Sequence, residues 1–590
     1  MNISLNTLAD SLTSHFSSAL LAAYPTLTRE QLSVEVVQST QEKFGHYQCN
    51  SPMKLAKLVG KSPRVIAQEV LDKLDRCDAD GSPFISHTEI AGPGFINITI
   101  DGGILAKKVK SLVLDSRVGI PLPAQKQKVI VELSSPNTAK EMHVGHLRST
   151  IIGDCLARAF EFLGHDVLRL NHVGDWGTSF GMLIAYMKDV AQDVLSGKMP
   201  MELGQLVKWY KEAKKRFDED APFKLRSQQE VVALQGGDAS SLSVWGQICE
   251  VSRLAYQEIY NILDVRLIER GESFYNSQLP GIVADLEKKG LVQLSDGAKC
   301  IFLEGFVNRE GEPFPLMIQK GDGGYNYDTT DMAAIRQRVD VEKADRIIYV
   351  VDAGQSLHFS MIFKAAEKAG YFDSQKVQVE HVPFGLVLGS DGKRFRTRSG
   401  ETERLIDLLK AAVIHAKKIL VERKTDMPES ELDNVAEALG IGAVKYADLS
   451  CHRTGDYVFS YERMLKFEGN TAAFLMYAYV RVAGIKRKVG IDVESLKEGT
   501  RITLGHPSEV ALAIHLLQFG ESLEKLSKEL LPNRLTDYLY TLAEKFNAFF
   551  RDCRVEGSPE QNSRLLLCEG TARVMRQGLD ILGVIPVSRM

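Results

Sequence analysis

VIVELSSPNTAKEMHVGHLRSTIIGDCLARAFEFLG, residues 129–164, is the stretch whose reading decides the fold. Val129 to Val131 and Leu133 read as a short buried strand, Ser134 to Met142 as a loop, and the residues from His143 onward as the start of a helix. Leu147, Ile151, Cys155, Leu156 and Ala159 recur at helical spacing, so one face of that helix is apolar. His143 and His146 therefore sit where strand becomes helix. A helix start offers unpaired N–H groups and partial positive charge, which suits an anionic phosphate. Gly145, between the histidines, lets a ligand approach the backbone closely. Taken alone, HxGH fits two capping or surface histidines equally well, and the surrounding pattern has to decide.

That pattern continues as strand, helix, strand. DVLRLNHVG (166–174) reads as the next strand, and His172, Gly174, Asp175, Trp176 and Gly177 follow it in the loop NHVGDWGTSFG. A parallel βαβ unit of this kind binds ligands at the carboxyl ends of its strands. From 188 to about 265 the chain turns helical and polar, as an insertion splitting the sheet. Lys208, Lys211 and Lys215 there share a helix face and read as solvated charge. RIIYVVDAG (346–354) and VPFGLVLG (382–389) are apolar runs expected to resume the sheet as strands buried on both sides. Next comes GSDGKRFRTRSGET (389–402), whose Lys393, Arg394, Arg396 and Arg398 form either a solvated basic turn or a second phosphate clamp.

Bulk properties bound the possibilities. A chain of 590 residues implies several domains. A net charge of −4 excludes a whole-protein field for a polyanion, so any nucleic-acid surface must be a local patch. Eight cysteines lie far apart with no CxxC pair, which argues against zinc and a disulfide framework and for a reducing, cytoplasmic setting. The amino terminus carries Leu5, Leu8, Leu12 and Phe16 at amphipathic helical spacing rather than a secretion signal. No apolar run approaches the roughly 18 to 20 residues that span a bilayer, and no membrane role is expected. Three domains are expected: an α+β domain over 1–120, a catalytic domain over 121–405, and an all-helical domain over 406–590. FGHYQCN (44–50) and GPGFINI (92–98) in the first read as structural turns and aromatic packing. In the last, Tyr477 and Tyr479 interleave with Arg481, Lys486, Arg487 and Lys488, so that aromatic faces could stack on bases while basic groups meet phosphates. A plain amphipathic helix with a solvated basic end is the alternative.

SSPNTAKEMHVGH, followed far downstream by GKRFRTRSG, resembles the class I aminoacyl-tRNA synthetases and in detail the arginyl-tRNA synthetases, HVGH standing for the family's HIGH signature. NHVGDWGTSFG, YDTTDMAA, VVDAGQSLHF and GPGFINI extend the resemblance over nearly the whole chain. It implies an α/β multidomain protein: a Rossmann-like parallel-sheet catalytic domain, an N-terminal α+β domain touching the tRNA elbow, and a C-terminal all-α anticodon-binding domain. It implies an ATP-dependent, AMP-forming arginine–tRNA ligase, with ATP and Mg2+, L-arginine and tRNA(Arg) as partners, usually monomeric and needing bound tRNA to activate arginine.

The resemblance also implies roles. His143, Gly145, His146, Lys140 and Lys393 would hold ATP, with Arg396 joining the histidines and lysines in catalysis. The chemistry suits them, because a carboxylate attacking the α-phosphate moves no proton and needs cationic hydrogen-bond donors. The basic loop KRFRTRS departs from the KMSKS pattern in lacking a second lysine, and Lys140, three residues before His143, would replace it. No carboxylate announces itself as a magnesium ligand. Glu132, Asn137, Tyr327, Asp331 and Gln355 would bind arginine. A guanidinium is a planar five-donor fork and calls for carboxylates, and Glu132 interrupts an apolar strand where a lone carboxylate is costly. Tyr477, Tyr479, Arg481, Lys486 and Arg487 would contact tRNA. Two rivals are a small-molecule HxGH nucleotidylyltransferase, which needs neither flanking domain, and a catalytically inactive tRNA-binding paralogue, whose arginine pocket would have relaxed.

Overall fold

The computed structural model describes residues 5–308, 310–389, 391–393, 395, 403–423 and 427–590. They fall into two compact units, Gln125–Leu465 with Ile581–Val584, and Met1–Ala124 with Lys466–Asp580 and Ile585–Met590.

The first unit is built on five parallel strands: β1 (Lys128–Glu132), β2 (Asp166–Asn171), β3 (Ile268–Glu269), β4 (Arg346–Tyr349) and β5 (Gln378–His381). Their order is β5-β4-β1-β2-β3, so chain direction across the sheet reverses between β1 and β4. Helix α1 (Val144–Phe162) joins β1 to β2, as the apolar spacing of the opening stretch predicts. The insertion supplies α2 (Leu203–Glu219) and α3 (Ala239–Ile262), and Lys208, Lys211 and Lys215 are exposed as expected of a solvated face. Helices α4 (Tyr327–Asp340) and α5 (Ser356–Lys368) lie against the sheet. Ile130, Leu170 and Ile347 of the strands share one core with Met332 and Ile335 of α4 and Ile362 of α5. The unit closes with α6 (Glu429–Leu449) among its helices.

Two expectations fail here. VPFGLVLG is not a sheet strand. β5 ends before it, Phe384 makes a lone parallel bridge to Asp352, and Val387–Leu388 pairs in parallel with Tyr457–Val458 outside the main sheet. Pro383 has no N–H for a ladder, and Arg453 takes its carbonyl at 2.7 Å. A three-stranded antiparallel sheet of Gln293–Ser295, Ala298–Val307 and Pro313–Gln319 also stands between β3 and β4, unforeseen in the sequence reading.

In the other unit, helix Leu8–Ala23 begins with a reciprocal cap between Thr7 and Asp10 and buries Leu8, Leu12 and Phe16. Four antiparallel strands follow in the order Val36–Gln38, Tyr47–Cys49, Phe95–Ile100, Ile85–Ala91. FGHYQCN is structural: buried Tyr47 donates to Glu521 at 2.5 Å, and Gln38 donates to the same carboxylate at 2.6 Å. Residues 510–530 carry continuous helical periodicity, yet the chain forms two helices there, Pro507–Leu517 and Phe519–Glu529, parted at Gln518. Apolar periodicity runs through that break, which hides it in the sequence. Among the described residues no helix is long and apolar enough to cross a membrane.

Candidate active site

A cavity of about 680 Å³ opens at the carboxyl ends of β1 and β4, where the strand order reverses. Glu132 from β1 and Asn137 from its loop form one wall, and His143, Gly145 and His146 at the start of α1 a second. Tyr327 and Asp331, one turn apart on α4, complete it with Gln355 from the turn after β4. Every sequence candidate for arginine thus lines the cavity that holds both histidines. Lys140 and Lys393 are exposed and lie outside this lining. Lys393 closes a turn in which Gly389 donates to its carbonyl at 2.8 Å, and Arg396 lies outside the described residues.

The two histidines cap the helix and line the cavity. His143 has extended backbone, and its Nδ1 accepts the Gly145 N–H at 3.1 Å; Nδ1 of His146 accepts the His143 N–H at 3.1 Å. An Nδ1 that accepts leaves the proton on Nε2, so the neutral His146 ring presents an Nε2–H donor. Burial, aided by neighbouring His143, pushes the His146 pKa down to about 3, which keeps that ring neutral throughout the physiological range. A Cβ on residue 145 would come within 2.9 Å of the His143 ring, so glycine there lets the cap form. The loop after β1 is fixed by its neighbour: Gly174 donates to Pro136 O and accepts from Thr138 N–H, each at 3.1 Å. A side chain at Gly174 would overlap the Asn137 amide, its Cβ only 2.2 Å from Oδ1.

Opposite the histidines the cavity is acidic. Asp331 Oδ2 meets Nε2 of His358 at 2.6 Å, while Nδ1 of the same ring faces Asp328 at 3.2 Å. A ring with a carboxylate on each nitrogen must donate from both, so His358 is an imidazolium. Burial opposes that charge, but hydrogen bonds from Asp328 and Asp331 outweigh it and push the pKa up to about 9. Tyr327 stands edge-on to His358 with ring centroids 5.0 Å apart, and Oδ1 of Asp331 lies 4.0 Å from His172 Nε2. Glu272 also lines the cavity, and burial together with Asp331 and Asp175 raises its pKa to about 8. Glu132 has a resident cation: Arg338 of α4, fully buried, donates to it at 2.6 Å. That partner answers the cost of a carboxylate inside an apolar strand.

Sequence reasoning missed Glu272, His358 and Arg338. His358 stands in the quoted string VVDAGQSLHF, three residues after Gln355, where spacing alone could have flagged it. Glu272 lies in GESFYNSQ, which carries no such signal. Arg148, two residues past HVGH, also lines the cavity and makes a buried ion pair with Asp448 of α6 at 3.0 Å. Among the described residues no three His, Cys, Asp or Glu side chains converge as metal ligands do.

In the other unit, helix Ala472–Val489 exposes Tyr477, and Arg481 rests over its ring at 5.0 Å while donating to Asn547. Tyr479 is half-buried on the same helix. Lys486 pairs with Glu569 and Lys488 with Glu556, each at 2.6 Å, while Arg487 is exposed and reaches Ser588 O at 3.4 Å.

Comparison with known proteins places this geometry. Residues 108–461 match the model of the class I tRNA synthetase (R) catalytic domain, 10–100 that of the arginyl-tRNA synthetase N-terminal domain, and 475–590 that of the DALR anticodon-binding domain. An arginine–tRNA ligase from Protochlamydia amoebophila is 62% identical over 588 residues, covering 99% of this chain and 100% of that protein. The corresponding ligase of Chlamydia abortus is 50% identical over 584 residues, with 99% and 100% covered. The crystal structure of arginyl-tRNA synthetase from Plasmodium falciparum superposes with a TM-score of 0.86 at 31% identity, covering 100% of both chains. The chain belongs to the arginyl-tRNA synthetases, in class I of the aminoacyl-tRNA synthetases.

Proposed function

We propose that this protein is an arginine–tRNA ligase that activates L-arginine with ATP and transfers it to the 3′-terminal adenosine of tRNA(Arg). The observation that carries the reading is a single cavity lined by the carboxyl groups of Asp331 and Glu272 and by the imidazoles of His143 and His146. In the first step an arginine carboxylate oxygen bonds to the α-phosphorus of ATP, and the bond from that phosphorus to the bridging oxygen breaks. Pyrophosphate leaves with the electron pair, and arginyl-adenylate remains. No proton moves, so His143 and His146 act as donors to phosphate oxygens, and their preset orientation means that little reorganisation is needed as charge shifts. In the second step a ribose hydroxyl oxygen of the terminal adenosine bonds to the acyl carbon, the bond from that carbon to the phosphate oxygen breaks, and AMP departs with the electron pair as the hydroxyl proton passes to its phosphate.

The guanidinium is assigned to Asp331 and Glu272, with Tyr327 beside them, and the amino and carboxylate ends to Asn137 and Gln355. Glu132, held in an ion pair by Arg338, lines the sheet end of the pocket. Lys140, Lys393 and Arg396 are assigned to the pyrophosphate, Lys140 standing in for the absent loop lysine. No set of acidic and imidazole side chains among the described residues fits a protein-held Mg2+, and no step here is routed through one. Residues 1–120 are assigned to the tRNA elbow, 121–405 to chemistry together with the helices up to Leu465 that share its compact unit, and the remainder of 406–590 to the anticodon, with Tyr477, Tyr479, Arg481, Lys486 and Arg487 as tRNA contacts. Pairing of Lys486 with Glu569 makes it the weakest of these. Eight free cysteines, six of them buried, support work in a reducing cytoplasm, and a monomer is inferred from family resemblance alone. Incubation with labelled arginine, ATP and tRNA(Arg) should give acid-precipitable, base-labile arginyl-tRNA. Failure to charge any arginine tRNA refutes the assignment.

A further inference from the structure

The helical insertion lies over the loop that carries Lys140. Three side chains on one face of α3, spaced four residues apart, bond to that loop or the strand end beside it. Ser252 Oγ accepts the Ala139 N–H at 3.0 Å. Tyr256 Oη reaches the carbonyls of Asn137 at 2.8 Å and Lys140 at 2.7 Å. Tyr260 Oη meets Ser134 Oγ at 2.8 Å and accepts from Asn171, the last residue of β2, at 3.1 Å. All three are buried. The insertion also touches the lysine head group, because Nζ of Lys140 stands 5.6 Å from the centre of the Tyr210 ring on α2.

The loop needs such a hold. Ser134, Ser135 and Ala139 have φ of 68°, 49° and 62°, a left-handed backbone that non-glycine residues enter at a cost. Its two ends are secured differently. Pro136 and Thr138 are bonded to Gly174, whereas Ala139 and Lys140 take their backbone partners from α3. Loosening α3 therefore frees the lysine end more than the Asn137 end.

We propose that the Ser252–Tyr256–Tyr260 face of the insertion is the positioning device for Lys140, so that the insertion is a working part of the adenylation site. Tyr256 and Ser252 are positioning residues that act through Lys140. The inference rests on the assignment of Lys140 to the phosphates and is tested beside it.

The test is arginine-dependent pyrophosphate exchange, run with tRNA(Arg), on Y256F, S252A, K140A and the double variant K140A/Y256F. Y256F keeps the ring and removes the hydroxyl proton shared between the Asn137 and Lys140 carbonyls, a loss whose usual net value corresponds to a fall in kcat of about five- to tenfold. KM for arginine should rise less than kcat falls, since Asn137 keeps the Gly174 bonds to Pro136 and Thr138 on either side of it, whereas the Lys140 carbonyl loses its bond to Tyr256. S252A should repeat this signature. In the K140A background Y256F should change kcat by less than about twofold, because the group it positions is gone. Wild-type kcat in both Y256F and S252A, or losses that multiply in the double variant, would overturn the proposal while leaving Lys140 in its role. Wild-type kcat in K140A overturns that role and the proposal together.

Discussion

Replacing Asp331 by asparagine should damage arginine binding and spare ATP. Asp331 is one-sixth exposed or less, with a side-chain exposure of 15%, and it faces His358 with one oxygen and the cavity with the other. Removing one partner of a buried ion pair costs on the order of 3–5 kcal/mol. The lower end applies, because His358 keeps Asp328 at 3.2 Å and is not left as an orphan charge. About 3 kcal/mol corresponds to roughly two orders of magnitude. In exchange assays with saturating ATP and tRNA(Arg), KM for arginine should rise about a hundredfold, while KM for ATP moves by less than about threefold. Equal increases in both constants, or an unchanged KM for arginine, would show that Asp331 does not hold the guanidinium.

Citrulline, the neutral isostere of arginine, should support no measurable exchange, since it would leave the acidic end of the pocket without its cation; turnover close to that with arginine would contradict the pocket. Glu272 is mostly protonated at pH 7, its pKa standing near 8 rather than in the ordinary glutamate range, and a guanidinium favours its ionised form. Arginine binding should therefore release close to one proton at pH 7, seen by calorimetry in buffers of different ionisation enthalpy, and affinity should improve as pH rises from 6.5 towards 8. E272Q should abolish both effects, and binding without proton release in the unaltered protein would refute the linkage. R338M should strand the Glu132 carboxylate in the core and lower the stability of the catalytic unit by about 3–5 kcal/mol, read as loss of its thermal transition at lower temperature. R338M combined with E132Q should recover part of that loss; no recovery would mean that the pair is not the cause.

The centre of the fold was legible because its signals are local. Strand β1, the start of α1 and the strand at 166–171 follow from periodicity and from a helix boundary marked by His143. VPFGLVLG misled because apolar composition states that a segment is buried, not that it pairs in a sheet, and Pro383 was the counter-signal. The hairpin at 293–319 had a signal that went unread: Asp296 and Gly297 have φ of 50° and 77°, the turn that an Asp-Gly pair favours. At the site, the residues that the family resemblance implied for arginine all line one cavity, but their pairing did not show in the sequence. Glu132 was expected to need a cation, and nothing in the sequence says that Arg338, two hundred residues away, supplies it. The histidines were framed as caps or ligands, when Nδ1 and Nε2 allow both at once.

Arginine-dependent exchange of labelled pyrophosphate into ATP, with and without tRNA(Arg), tests the activation of arginine in this cavity most directly. Exchange that requires arginine and appears only when tRNA(Arg) is added is the expected result. Exchange without tRNA would keep the activity and remove the coupling to tRNA, whereas no exchange under either condition would contradict the claim that this cavity activates arginine.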